Sequence, residues 1–208
     1  LFPYTTLFRS VESIQVDGVC DEVISPAPNL APDEIATAQR IALELSEQLD
    51  VTGVMAVELF QTRDGRLLVN ELAMRPHNSG HWSMDGAVTG QFEQHLRAVA
   101  DLPLGATAPL APVAVMVNLL GGDAEDLAPG TAAALAEEPR LKVHLYGKSV
   151  RPGRKIGHVT LLGDDAEDLL ARAHRAERRQ RREGGDHAQF HRHQADGDGE
   201  PEDIAPLV

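Results

Sequence analysis

The chain has 208 residues, 42% of them hydrophobic and 25% charged, with a formal net charge of −13 and a single cysteine. There is enough apolar material for a core, no apolar run approaches the roughly 18 residues of a membrane-spanning helix, and the acidic balance excludes nonspecific attachment to nucleic acid, whose phosphates need clustered Lys and Arg. The lone thiol, Cys20, excludes an internal disulfide framework and fits a reducing cytoplasm.

Residues 1–10, LFPYTTLFRS, resemble the translation of a sequencing adapter and are set aside as a non-native segment expected to pack poorly; the alternative is a β-strand, which their Phe, Tyr and Thr would allow. Residues 11–17 and 19–25 read as two strands around an Asp17-Gly18 turn, followed by a Pro-rich loop over 26–32. A helix starts at Asp33, with Ile35, Ile41, Ala42, Leu45 and Leu49 at helical spacing and Glu34 in the first turn, at the positive end of the dipole.

Residues 54–62 and 66–73 are rich in strand formers, and the Asp64-Gly65 dipeptide between them suits a two-residue type I′ hairpin turn. In that register Arg63 faces Arg66, and Glu58 falls opposite Glu71 with Cβ atoms about 4.5–5.5 Å apart, where like charges destabilise a sheet. Asn70 then pairs with Leu59 and points to the other face. A hard divalent cation, a shared proton, or a splayed and solvated pair would each relieve the repulsion. The loop that follows holds Arg75, Pro76, His77, Asn78, Ser79, Gly80, His81 and Trp82, a run dense in donors for an anion.

One helix is expected over 85–100, and a Pro-rich connector over 103–112 closes the first region. The second reads as a strand over 113–120, an interrupted helix over 125–137, and strands over 141–146 and 156–162. Its tight turn at 151–154 gathers Lys148, Arg151, Arg154 and Lys155, either as a solvated basic turn or as an anion site. From 171 to 203 there is no Leu, Ile, Val or Met, and Phe190 is the sole large apolar residue. Residues 171–208 are therefore expected to be disordered, the product of a shifted reading frame. A basic arm or a metal-binding tract at His187, His191 and His193 is the weaker reading.

The run VNELAMRPHNSGHW, with GVMAVELF before it and QFEQHLRAVADLPLG after it, resembles the 5-(carboxyamino)imidazole ribonucleotide synthase family of the ATP-grasp superfamily, in its C-terminal half. KSVRPGRKIGH resembles the same family's C-terminal signature, and the likeness covers about residues 11–170. It implies an α+β fold: a partial ATP-grasp domain over 11–102 and a small mixed domain over 103–170. The implied activity is ATP-dependent carboxylation of 5-aminoimidazole ribonucleotide with bicarbonate, through carboxyphosphate, in a cytoplasmic homodimer, with this stretch inactive alone.

The resemblance also implies site residues. Glu58 and Glu71 would hold Mg²⁺ against ATP phosphates, with Asn70 a weaker candidate for the same cofactor site. Many relatives carry an Asn ligand where this chain has Ala73. Arg75, His77 and Asn78 would handle bicarbonate and carboxyphosphate, His77 as a possible proton acceptor. Lys148, Arg151, Arg154 and Lys155 would bind the ribonucleotide, its phosphate falling to Lys148 and Arg154, and the two basic clusters would share one cleft. His81 and Trp82 are read as packing and loop-fixing residues, and His158 as a support for the basic turn. The alternatives are another ATP-grasp enzyme, such as a formate-using glycinamide ribonucleotide transformylase or a biotin carboxylase, and a non-enzymatic binding module.

Overall fold

The computed structural model describes residues 6–182 and 205–207. Eight strands form one sheet in the order β4-β3-β8-β1-β2-β5-β7-β6, and all its pairings are antiparallel. The strands are β1 (Glu12–Val16), β2 (Val19–Ser25), β3 (Ala56–Gln61), β4 (Leu67–Ala73), β5 (Val113–Leu120), β6 (Lys142–Leu145), β7 (Lys155–Gly163) and β8 (Ala205–Leu207). The helices are α1 (Pro32–Gln48), α2 (Ser83–Gly86), α3 (Gln91–Val99), α4 (Ala128–Glu137) and α5 (Ala166–Arg182), with a 3₁₀ turn at Asn78–Gly80. No helix among the described residues is long and apolar enough to cross a membrane.

The β1–β2 hairpin closes through Asp17 and Gly18, both at positive φ (52° and 74°), as a type I′ turn requires. Helix α1 begins with Pro32, whose missing N–H costs nothing there, and the Glu34 carboxylate accepts the Ala31 N–H at 2.8 Å. Its apolar stripe, including Ile35, Ala38, Ile41 and Leu45, packs on Val57 and Leu59 of β3.

Strand β5 alternates its side chains between two cores. Val115, Val117 and Leu119 face Val159, Leu161 and the helix α5 residues Leu169, Ala173 and Ala176. Ala114 and Met116 face Val23 and Trp82 on the other side. The 102/103 boundary falls in a connector, but the sheet crosses it, because β2 pairs directly with β5.

Three expectations change. The helix expected over 85–100 is two, α2 and α3, because residues 87–89 run extended against the connector: Val88 N–H donates to Ala108 O at 2.9 Å and Thr89 N–H to Ala106 O at 3.0 Å. Residues 6–10 pack: the Phe8 ring meets Trp82 edge-on at 6.3 Å, and Arg9 Nη1 donates to Pro112 O at 2.7 Å. Residues 171–182, expected to be disordered, complete α5. Alanine supplies the face that larger residues lack there: Ala173 is fully buried, Ala176 nearly so, and Arg172 pairs with both Glu138 and Asp168. The His187, His191 and His193 tract lies outside the described residues.

Small residues also set how closely α5 meets α4. A Cβ on Gly130 would sit 2.7 Å from Gln180 Cα and 2.9 Å from Arg179 O, both backbone atoms that cannot step aside. Gly130→Ala is therefore expected to lower unfolding stability by about 1–3 kcal/mol through overpacking, despite the better helix propensity of Ala. Urea denaturation checks this, and an unchanged midpoint would show that α5 does not dock on α4.

Candidate active site

Glu58 and Glu71 are direct cross-strand partners, by a route that differs from the one expected. Asp64 is not among the residues at positive φ, whereas Gly65 is (φ 80°), so the type I′ turn does not form. Thr62 instead pairs with Arg66, its N–H donating to Arg66 O at 2.9 Å, around a three-residue loop. Asp64 accepts from Thr62 Oγ1 and from Arg66 Nε at 2.8 Å, which fixes that loop. The register slips by one residue, so Leu59 lies opposite Val69, and a bulge at Asn70 restores it, leaving Glu58 opposite Glu71. As the bulged residue, Asn70 does not pair with Leu59; its amide donates to Glu58 Oε2 at 3.2 Å.

His77 joins the carboxylates. Its Nε2 lies 3.5 Å from Glu58 Oε1, and Glu58, Glu71 and His77 each offer a ligand atom within 4.8 Å of the others. Its Nδ1 is 2.8 Å from Ser79 Oγ and accepts the Ser79 N–H at 3.4 Å, which leaves the ring proton on Nε2, aimed at Glu58. Burial lowers the His77 pKa, and Glu58 opposes that shift without cancelling it. Gln91 is buried and clamps the loop: its Oε1 accepts His77 N–H at 2.9 Å, while its Nε2 donates to His77 O at 2.8 Å.

Arg75 is exposed, donates from Nη1 to Pro76 O at 3.1 Å, and lies near enough for its charge to disfavour protonation of His77. Asn78 turns inward, its Nδ2 on Cys20 Sγ at 3.2 Å and its Oδ1 buried without a partner. Among the basic residues, Lys148, Arg151 and Arg154 are exposed. Lys148 Nζ stands 5.1 Å from the centre of the Tyr146 ring, and Arg154 Nη1 donates to Ser149 Oγ at 2.8 Å. Lys155 is half-buried. A bulge at Ile156, between the pairs Leu119–Gly157 and Leu120–Lys155, turns Lys155 to the His158 face. There its charge disfavours protonation of His77, His81 and His158, so Lys155 is the basic residue drawn toward the first cluster. Behind the loop, a cavity of about 500 Å³ between residues 6–11, α1 and α3 reaches His77 and Gln91, but neither carboxylate nor any of the basic four lines it.

What the sequence did not flag is a column of rings. His158, fully buried, is stacked between His81 (centroids 4.8 Å apart) and His144 (4.7 Å), and His81 stacks on Phe92 at 5.7 Å. His144 Nε2 meets Asp85 Oδ2 at 2.7 Å, Gln91 Nε2 donates to His81 Nδ1 at 2.8 Å, and the Tyr146 hydroxyl meets His158 Nδ1 at 2.8 Å. The available signal was His144 set between Val143 and Leu145, and His158 set among Ile156, Val159 and Leu161.

The bulged hairpin with its two carboxylates and the imidazole-bearing loop both lie within a stretch that is similar to ATP-grasp domains. Residues 3–92 match the model of the ATP-grasp domain, and residues 114–172 match the phosphoribosylaminoimidazole carboxylase C-terminal domain. The chain is 58% identical over 168 residues to N5-carboxyaminoimidazole ribonucleotide synthase of Mycobacterium tuberculosis strain H37Rv, covering 78% of this chain and 39% of the relative. The Bacillus subtilis enzyme of the same name is 40% identical, with 78% and 42% covered. Among solved structures, the enzyme from Aspergillus clavatus in complex with ADP and 5-aminoimidazole ribonucleotide superposes with a TM-score of 0.74 at 32% identity, over 81% of this chain and 46% of that one. An ADP complex of a further N5-carboxyaminoimidazole ribonucleotide synthetase gives 0.75 at 38% identity, over 83% and 45%. Over 78% of its length the chain is similar to N5-carboxyaminoimidazole ribonucleotide synthases, and it spans about two fifths of the length of the first relatives it matches.

Burial lowers the pKa of His158 to about 3 and of His81 to about 4, from an ordinary 6.5, so these two rings are neutral in the folded protein. Below pH 6.5 the unfolded chain takes up protons that the folded one refuses, so this contribution is present above about pH 6.5 and is lost as pH falls toward 4 and then 3. His174, raised by its hydrogen bond to Glu22, acts in the opposite sense, its contribution being lost as pH rises. The melting temperature is expected to drop between pH 7 and pH 4.5, and to drop less in His158→Phe, which keeps the stacking but has no proton to take up. Equal drops in the two proteins would refute the assignment.

Proposed function

We propose that this chain forms the C-terminal part of an enzyme that uses ATP to carboxylate 5-aminoimidazole ribonucleotide with bicarbonate, through carboxyphosphate, in cytoplasmic purine biosynthesis. Residues 11–102 serve as part of the ATP-grasp domain and residues 103–170 as the C-terminal domain, in a chain of the relatives' length that works as a homodimer. The observation that carries this reading is the Glu58–Glu71 pair with His77 beside it. The likeness to N5-carboxyaminoimidazole ribonucleotide synthases, and the ADP and 5-aminoimidazole ribonucleotide named with the Aspergillus relative, support it.

The pair fits Mg²⁺: two facing carboxylates supply hard oxygen donors, and a cation offsets a repulsion that otherwise destabilises the hairpin. Bound there with ATP, Mg²⁺ would neutralise charge on the phosphates during phosphoryl transfer. Asn70 steers Glu58 through its amide. His77 is held neutral by burial with its proton on Nε2, so it presents a donor toward the carboxylates and the anion beside them. That tautomer supports a positioning role over proton acceptance. Exposed Arg75 offers a planar fork to bicarbonate or carboxyphosphate. Asn78, fixed on Cys20, holds the shape of the loop. Lys148 and Arg154 take the ribonucleotide phosphate, with Arg151 at the rim and Lys155 on the side nearest His77.

The test pairs two variants. Glu58→Gln and Glu71→Gln are each expected to raise the stability of the metal-free chain, by removing the like-charge contact, and to abolish the rise in melting temperature that Mg²⁺ with ADP gives the unaltered chain. In an enzyme of the relatives' length carrying these residues, Glu71→Gln should reduce ATP turnover by at least 100-fold, in the range typical of lost charge stabilisation. Unchanged turnover would sink the metal role.

A further inference from the structure

The column of rings joins the two places where the proposed chemistry needs its anions. At one end Gln91 grips His81 and, through both backbone atoms of His77, the loop that carries Arg75 and His77. In the middle of the column, His158 touches Tyr146, and the Tyr146 ring lies under the ammonium of Lys148 at 5.1 Å. Lys148 is exposed on a long, flexible stem, and side-chain entropy opposes its holding one position. An aromatic face beneath the ammonium lowers that cost by cation–π attraction, provided that the ring itself is fixed.

The ring is fixed. The Tyr146 hydroxyl meets His158 Nδ1 at 2.8 Å, and Tyr146 N–H donates to Ile156 O at 2.9 Å, extending the β6–β7 ladder by one residue. His158 cannot swing away, because His81 and His144 stack on its two faces and the residue has no solvent exposure. Its Nε2 has no partner among the described residues, so the contact with Tyr146 is the hydrogen bond that sets the orientation of this imidazole. His144 is itself tied to Asp85 of α2, which anchors the column to the first region of the chain.

We infer that Tyr146 and His158 are positioning residues for the ribonucleotide phosphate: His158, clamped in the ring column, pins Tyr146, and Tyr146 holds the Lys148 ammonium where the phosphate is received. The inference rests on the reading of Lys148 as a phosphate ligand. Neither residue touches the phosphate, and both act through Lys148.

Inorganic phosphate, titrated into the whole chain while the Lys148 ε-methylene resonances are followed by NMR, tests this. In the unaltered protein those signals should stand upfield, shifted by the Tyr146 ring current, and should move on phosphate addition. Tyr146→Leu should abolish the upfield shift and weaken the phosphate midpoint by about 2- to 5-fold, the range for an exposed cation–π contact. Tyr146→Phe and His158→Phe, near-isosteric changes that keep the fold, should each broaden or reduce the shift and weaken the midpoint less. Their double variant should be no worse than either alone, because both cut the same bond. An unshifted Lys148 signal in the unaltered protein, an unchanged midpoint in Tyr146→Leu, or additive effects in the double variant would overturn the inference. Lys148→Ala separates the two readings. If it leaves the phosphate midpoint untouched, the phosphate role of Lys148 fails and the positioning role falls with it; if it abolishes binding while Tyr146→Leu does not weaken it, the positioning role alone fails.

Discussion

Two-sided burial of the β5–β7 pair is the constraint from which the remaining geometry follows. Val115, Val117, Val159 and Leu161 have no exposure on the face that α5 covers, and Met116 and Trp82 are equally enclosed on the other. A strand pair buried on both faces has one register available to it, because a slip of one residue would exchange its two cores. Everything hung on it is placed with the same certainty: β2 and its Cys20 on one side, β6 and His144 on the other, and the basic turn at 151–154 where the strands emerge. Gly121 seats that turn, since a Cβ there would lie 2.3 Å from Arg151 O.

The second face of this pair is apolar at one end and polar at the other. Beyond Met116, it carries Asn118, Thr160 and His158, all fully buried. Asn118 donates to Cys20 O at 2.9 Å, and the stacked imidazoles cover the rest. Burial of His81 and His158 is tolerable because they are neutral, and their neutrality follows from the burial itself, which penalises the charged form. The same environment gives each imidazole of the column a directional hydrogen bond with Asp85, Gln91 or Tyr146. A Leu or Phe at those positions could pack but could not orient a neighbour.

Bulges do the aiming. In β4 the extra residue is Asn70, in β7 it is Ile156, and in β2 it is Asp21, which the register leaves out between the pairs Ile14–Glu22 and Gln15–Cys20. Each breaks the two-residue alternation at one point and puts polar side chains on one face that would otherwise point apart. Asn70 thereby reaches Glu58, Lys155 joins the His158 face, and Asp21 comes beside Glu22 and His174. At Asn70 and at Asp21 like charge gathers where the alternation fails, and beside Asp21 the His174 imidazole, bonded to Glu22 at 2.6 Å, faces it.

Elements whose signal is local were legible in the sequence: the Asp17-Gly18 turn, helix α1, strands β5 and β7, and the motifs that mark the family. So was the pairing of Glu58 with Glu71, although the two-residue turn behind that count does not exist. A three-residue loop and a bulge, each worth one position, cancel. Their cancellation could not be counted from residue types, because a bulge is chosen by what the re-aimed side chain meets across the sheet. Helix α5 was missed for a related reason. A stripe of Ala looks too poor to bury, and only the close approach of Gly130 on α4 makes small residues the right ones. The roles of His81, His144 and His158 were settled by tertiary contact alone, since residues 63 positions apart in the chain, 81 and 144, touch one ring from opposite faces. Sequence determined which strands and which charges exist; packing decided which face each charge would share, because that depends on distances between segments that no local pattern encodes.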